Sequence, residues 1–86
     1  MERTALRQAM IELLEEETGQ TFSVLDEDVN LRDGLGLDSV DLVSLVIQIQ
    51  TRFHIQISTE ELEHIARVAD LLDVVQARLA AAAAAA

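Results

Sequence analysis

Apolar residues return along most of this chain at intervals of three and four, the spacing that lines one side of an α-helix. From Thr4 to about Thr18, Leu6, Met10, Leu13 and Leu14 form such a stripe, with Arg7, Glu12, Glu15 and Glu16 largely opposite. This predicts an amphipathic first helix, and Gly19 behind it supplies the left-handed stop that closes one. A second stripe of Leu42, Leu45, Val46, Ile49 and Phe53 predicts a helix from Asp38 or Ser39 to about Arg52 or Phe53. Asp38 is a good N-cap, Asp41 stands three positions on, and both carboxylates suit the positive end of the helix dipole. Val43 and Ile47 lie off the buried stripe, one turn apart. Ser58 and Glu61 have capping-box spacing ahead of a brief helix through about Ile65, with Leu62 and Ile65 facing inward. Val68, Leu71, Leu72, Val75 and Leu79 then define a last helix from about Val68 to Leu79. The fold expected is all-α: a small four-helix bundle, three helices longer and one short.

Between the first two helices, residues 20–37 carry no helical stripe, and a connector of that length needs a task of its own. Phe22, Val24, Leu25, Val29, Leu31, Leu35 and Leu37 are scattered through it without strand alternation, so they are expected to pin it onto the helices. Gly34 and Gly36 permit a tight turn just before the second helix. Asp26, Asp28 and Asn30 begin like a calcium-binding loop, but Leu31 replaces the turn glycine and Leu37 stands where the bidentate glutamate belongs. Weak, loose cation binding is expected there, and no dedicated metal site. Residues 80–86 are a run of seven alanines without a pattern, assigned no function and set apart from a domain spanning 1–79.

Eighty-six residues hold one core, near the lower end of what folds without disulfides or a metal. With two phenylalanines, no Trp or Tyr and no Cys, that core must be built from aliphatic side chains, and thiol chemistry is excluded. Cysteine usage fits a reducing cytoplasm, and there is neither a signal-peptide pattern nor an apolar run of about 18 residues. Sixteen acidic residues against six arginines give a formal charge of −10, which argues against nucleic acid or anionic membrane and for basic partner proteins.

The chemistry concentrates in Gly34-Leu35-Gly36-Leu37-Asp38-Ser39-Val40. An Asp-Ser pair alone is a weak signal, most often a simple helix cap. Its setting here resembles the attachment motif of acyl carrier proteins: an acidic loop, a Gly-Leu-Gly turn, Asp-Ser, and an apolar residue opening the second helix. The resemblance runs from the first helix to about Val75 and includes Phe53-His54-Ile55-Gln56-Ile57 and the acidic short helix from Glu60 to Ile65. It implies that Ser39 receives 4'-phosphopantetheine from coenzyme A through a separate phosphopantetheinyl transferase, with Asp38 helping that enzyme and its metal engage the serine. It also implies a non-catalytic carrier, expected to be a monomer, that holds acyl groups as thioesters for fatty acid, polyketide or specialised lipid biosynthesis. Asp41, Val43 and Ile47 match the face that partner enzymes read, namely acyltransferases, ketosynthases or acyl-activating enzymes. Val46, Ile49, Ile57, Leu62, Ile65 and Leu71 match the family's acyl-chain lining, though each would be apolar in an ordinary core as well.

The chain departs from the family in two places. Its second helix carries Ser44, Gln48, Gln50, Thr51 and Arg52 where many fatty-acid carriers have glutamates, and Val40 replaces the more usual leucine. Steering toward generic basic docking sites should be weaker, as in a carrier dedicated to a specialised pathway. A serine nucleophile is the enzymatic alternative, but neither His54 nor His64 has an evident route to Ser39 and no nucleophile elbow surrounds it. A peptidyl or aminoacyl carrier and an unloaded structural subunit are the other readings. Leu37-Asp38-Ser39 and the acid excess favour the acyl type, and the initial methionine with a full helical set suggests a discrete protein.

The net charge also bears on stability. Self-repulsion in the compact state should be relieved by counterions, so the melting temperature is expected to rise from low to moderate salt or with divalent cations. A melting temperature that stays flat across the salt series would contradict this.

Overall fold

A computed structural model describes residues 2–85. Four helices follow one another among them: α1 (Arg3–Thr18), α2 (Ser39–Phe53), α3 (Thr59–Glu63) and α4 (Val68–Ala85), with α1 packed against both α2 and α4. The predicted architecture is therefore present, and its boundaries follow from local chemistry. Gly19 ends α1 at φ 73° while its N–H donates to the Glu15 carbonyl. α2 ends at His54, which takes the same left-handed conformation at φ 55° and donates its N–H to the Gln50 carbonyl. Ser58 and Glu61 form the expected capping box on α3.

Two boundaries differ from the sequence reading. α3 stops at Glu63 rather than about Ile65, because the amides of Ala66 and Arg67 turn away to the Asp70 carboxylate (3.1 and 3.0 Å). Asp70 thus caps the start of α4, a role that its position inside the helical stripe conceals. α4 runs past Leu79 to Ala85, and Ala80 to Ala83 are exposed, so these four alanines continue the helix on intrinsic propensity without burying their side chains.

The core is one cluster drawn from every part of the chain. Leu6, Met10 and Leu14 of α1 meet Leu45 and Ile49 of α2 and Leu71, Leu72 and Val75 of α4, all fully enclosed. No polar or charged side chain is buried among the described residues, so the interior is held by aliphatic shape and hydrophobic burial alone. Phe53, expected in the buried stripe, is only partly buried and packs on the cluster's margin, as does Leu62.

The long connector is fastened twice. Leu25, Leu31 and Leu37 are buried, with Phe22, Val29 and Leu35 packed partly against the core. Val24 does not share this role: it is 79% exposed, its neighbour Leu25 having taken the inward position. The backbone is also sewn to the start of α4, with Leu31 N–H donating to the Ala66 carbonyl (2.9 Å), Val68 to Val29 (3.0 Å) and Ala69 to Glu27 (2.9 Å). The Asn30–Arg67 pairing among these is an isolated bridge, not a strand.

Ion pairs clamp the outside of the bundle. Arg3 reaches Glu27 in the connector and Asp73 on α4 (2.9 Å), and it donates to Gln76 as well. Arg52 joins α2 to Glu12 of α1 (2.8 Å), and Arg78 joins α4 to Glu61 of α3. The hydrogen bond from Arg3 holds the Glu27 carboxyl below its ordinary value near 4.5, against a smaller opposing effect of burial. Arg78 lowers Glu61 similarly, and the amides of Arg67 and Ala66 lower Asp70.

A carboxylate whose folded pKa is depressed contributes stability that is present above its unfolded value and lost as the pH falls through the folded one. Protonating the other carboxylates relieves charge repulsion over the same range, so the net acid profile mixes two opposed effects. A difference measurement separates them. Glu27→Gln is expected to melt below the parent at neutral pH, and the gap should close as the pH falls below the ordinary glutamate value of 4.5; a pH-independent gap would show that the Arg3 contact contributes nothing through charge.

Candidate functional site

The geometry around Ser39 is built from the connector forward. Asn30 folds the chain back on itself: its side-chain oxygen accepts from the amides of Arg32 (2.8 Å) and Asp33 (2.9 Å), and its carbonyl accepts from Gly34 (2.8 Å) and Leu35 (3.1 Å). Gly36 N–H donates to the Arg32 carbonyl (2.9 Å) and Leu37 N–H to that of Leu31 (3.1 Å), closing the turn. The two glycines serve different needs. A β-carbon at Gly34 would lie 2.4 Å from a Val29 methyl and 2.7 Å from the Asn30 carbonyl, whereas Gly36 has open space but a φ of 73°. Leu37 is then buried, and the next three residues, Asp38, Ser39 and Val40, are exposed.

Asp38 caps α2 reciprocally with Asp41. The Asp38 carboxylate accepts from the Asp41 amide (2.8 Å), and the Asp41 carboxylate accepts from the Asp38 amide (3.3 Å). The Leu42 amide donates to the Asp38 carbonyl (2.9 Å). The amides of Ser39 and Val40 have no such partner among the described residues, so two donors remain at the positive end of the dipole beside the Ser39 hydroxyl. That arrangement suits a phosphodiester on Ser39, which is the fit a phosphopantetheine arm requires.

The remaining candidates divide into two environments. Val43 and Ile47 are exposed, at 46% and 54%, and Val40 joins them at 76%. The sequence reading passed over Val40 as part of this face, although its three-residue offset from Val43 places it on the same side. The result is an apolar strip beginning one residue after Ser39, with half-buried Asp41 beside its upper end. Val46, Ile49, Ile57, Ile65 and Leu71 lie together in the core cluster, with Leu62 at its margin. Leu62 and Ile65 also border a surface cavity of about 260 Å³ together with Asn30, Arg32, Glu63 and Ala66.

Several other expectations are located as well. Gln50, one of the departures on α2, accepts from the Ile57 amide (2.8 Å), and Arg52 is the clamp to Glu12, so both have structural tasks. The oxygens of Asp26 and Asn30 that looked like cation ligands accept backbone amides of the connector itself. Among the described residues no group of three or more His, Cys, Asp or Glu side chains is placed to hold a metal ion, and no helix is long and apolar enough to cross a membrane. His54 and His64 are exposed, and His54 closes the opposite end of α2 from Ser39, about 22 Å away at 1.5 Å per residue.

With this geometry in hand, the likeness to known proteins is informative. Residues 5–75 match the family model described as a phosphopantetheine attachment site. The chain is 33% identical to the acyl carrier protein of Thermotoga maritima, over 78% of this chain and 83% of that one. It is 32% identical to the acyl carrier protein of Saccharopolyspora erythraea, covering 99% and 93%. Its structure superposes on the crystal structure of the Thermotoga maritima protein with a TM-score of 0.83 at 34% identity, covering 92% of each chain. The solution structure of the acetyl actinorhodin acyl carrier protein from Streptomyces coelicolor gives 0.70 at 26% identity, covering 95% and 94%. The chain therefore belongs to the phosphopantetheine-attachment family, among its acyl carrier proteins. Proteins of this family are non-catalytic carriers with covalently attached 4'-phosphopantetheine.

The cap of α2 can be tested apart from any function. Replacing Asp38 by Ala removes the reciprocal pair and should cost about 1 kcal/mol of stability. Amide exchange should quicken in the first turn of α2 and leave α4 unchanged; equal quickening in both helices would mean that the cap does not act locally.

Proposed function

We propose that Ser39 is the attachment point of the phosphopantetheine arm and that this chain presents acyl groups on it to biosynthetic enzymes. The observation that carries the reading is the exposed Ser39 hydroxyl at a capped helix start, with two unpartnered backbone amides beside it. When bound, the group supplies a thiol on which an acyl group is held as a thioester. The protein's own part is positional. Asp38 and Asp41 hold the first turn of α2 in register, and the Ser39 and Val40 amides stabilise the phosphodiester charge. The buried Leu37 anchors the approach, so that the serine projects into solvent where a transferase reaches it. Asp38 additionally assists the phosphopantetheinyl transferase and its metal.

Val40, Val43 and Ile47 form the surface that partner enzymes read, with Asp38 and Asp41 at its upper end. Acyltransferases, ketosynthases or acyl-activating enzymes are the partners this surface suits. Apolar area dominates over charge on the strip, so docking rests more on fit than on long-range attraction, as expected of a carrier dedicated to one polyketide or specialised lipid pathway. The carrier domain is residues 1–79, it acts as a monomer, and the cytoplasm is its compartment.

Treatment with coenzyme A and a broad-specificity phosphopantetheinyl transferase should add the mass of one phosphopantetheinyl group to the parent protein and nothing to Ser39→Ala. An unmodified parent would refute the assignment, and so would a modified variant.

A further inference from the structure

Six arginines serve this acidic chain, and four of them are committed. Arg3, Arg7, Arg52 and Arg78 each lie within ion-pair distance of a carboxylate. Among the described residues Arg32 and Arg67 have no such partner, and of these two it is Arg32 that borders the 260 Å³ surface cavity, whose other walls are Asn30, Leu62, Glu63, Ile65 and Ala66. In a chain of net charge −10, a cation left unpaired beside a half-apolar cavity lowers the repulsion that an anion would meet there.

The turn before α2 keeps this arginine near the attachment serine. The Arg32 amide is fixed to the Asn30 side chain and its carbonyl accepts from Gly36 (2.9 Å). Gly36 is three residues from Ser39, at most about 11 Å of chain. Anything tethered at Ser39 by a flexible arm is therefore held at high effective concentration over the cavity mouth.

Size and polarity narrow what fits. At roughly 30 Å³ per water-sized group, 260 Å³ holds on the order of nine such groups, room for a short acyl unit or an octanoyl chain but not for a longer one, so polarity rather than size decides between those two. The deeper lining offers no alternative space in this conformation, since Val46, Ile49 and Leu71 are 5%, 0% and 0% exposed within one packed cluster. Leu62, Ile65 and Ala66 can cover the methylene side of a short unit while Arg32 faces its far end.

Resting on the carrier reading of Ser39, we propose that this cavity seats the free end of the arm's cargo and that Arg32 selects short acyl groups ending in a carboxylate. Arg32 pairs with the carboxylate, Leu62 and Ile65 cover the carbon beside it, and Glu63 on the same rim opposes the anion and limits affinity.

The test loads the protein with unacylated, acetyl, malonyl or octanoyl phosphopantetheine from the corresponding coenzyme A derivatives, confirms each by intact mass, and follows Arg32 Nε–H and the amides of Leu62 and Ile65 by NMR. Malonyl should shift these signals and the other three forms should not. Arg32→Gln should abolish the malonyl shift while still taking the arm, and Glu63→Gln should enlarge the seated population by about threefold, the scale of one partly exposed charge contact. Equal shifts with acetyl and malonyl, or a shift already complete with the unacylated arm, would overturn the proposal, the latter because Arg32 then holds the arm's own phosphate. A malonyl shift that survives Arg32→Gln would also overturn it. Failure of the protein to accept any arm would instead remove the carrier reading, and this inference with it.

Discussion

The placement of Ser39 depends on how the 20-residue connector between α1 and α2 is denied its freedom. Closing a loop of that length carries an entropic penalty that grows slowly with length, so what matters is whether enough contacts accumulate inside it. Here they come from two directions. Buried leucines tie the connector inward, and backbone hydrogen bonds from residues 27–31 to residues 66–69 tie it to the beginning of α4. Neither would suffice alone: the leucines fix depth but not register, and the hydrogen bonds fix register only where the chain already lies flat against the bundle. Together they deliver Leu37 to the core and, by chain continuity, Asp38 and Ser39 to the surface.

This explains why the helices were legible in the sequence and the connector only in part. Periodicity reports which face of a helix is buried, and it located α1, α2 and α4 through Leu6, Leu45 and Leu71 and their neighbours. The capping chemistry of Asp38 and Ser58 was equally legible, because side-chain caps act within four residues. Backbone pairing between Leu31 and Ala66 leaves no mark on residue type, since any amide and carbonyl can make it. Val24 was misplaced for the same reason: in an irregular run, nothing in the residue alone says whether it or Leu25 turns inward.

Of the site, the serine and its flanking aspartates stood out through their setting, while the full extent of the apolar strip did not. Val40 looked like a minor substitution after the serine and proves to be a highly exposed aliphatic side chain. Asp70 was hidden in the opposite sense, as an acidic residue within a helical stripe that actually closes the turn before it. Arg32 carried no signal in the sequence, because its significance lies in the cavity it borders and in its standing outside the ion pairs that hold four of the other arginines.

The absence of buried polar side chains among the described residues has a mechanical side. Aliphatic contacts carry no direction of their own, so register between helices rests on how closely the branched side chains interlock. Three partly exposed arginine clamps add to this from outside, each a small contribution that dissolved salt weakens further. Sliding one helix along another would unseat many weak contacts at once, which makes the interior the stiff part of the bundle and leaves its ionic rim as the part that solution conditions can adjust.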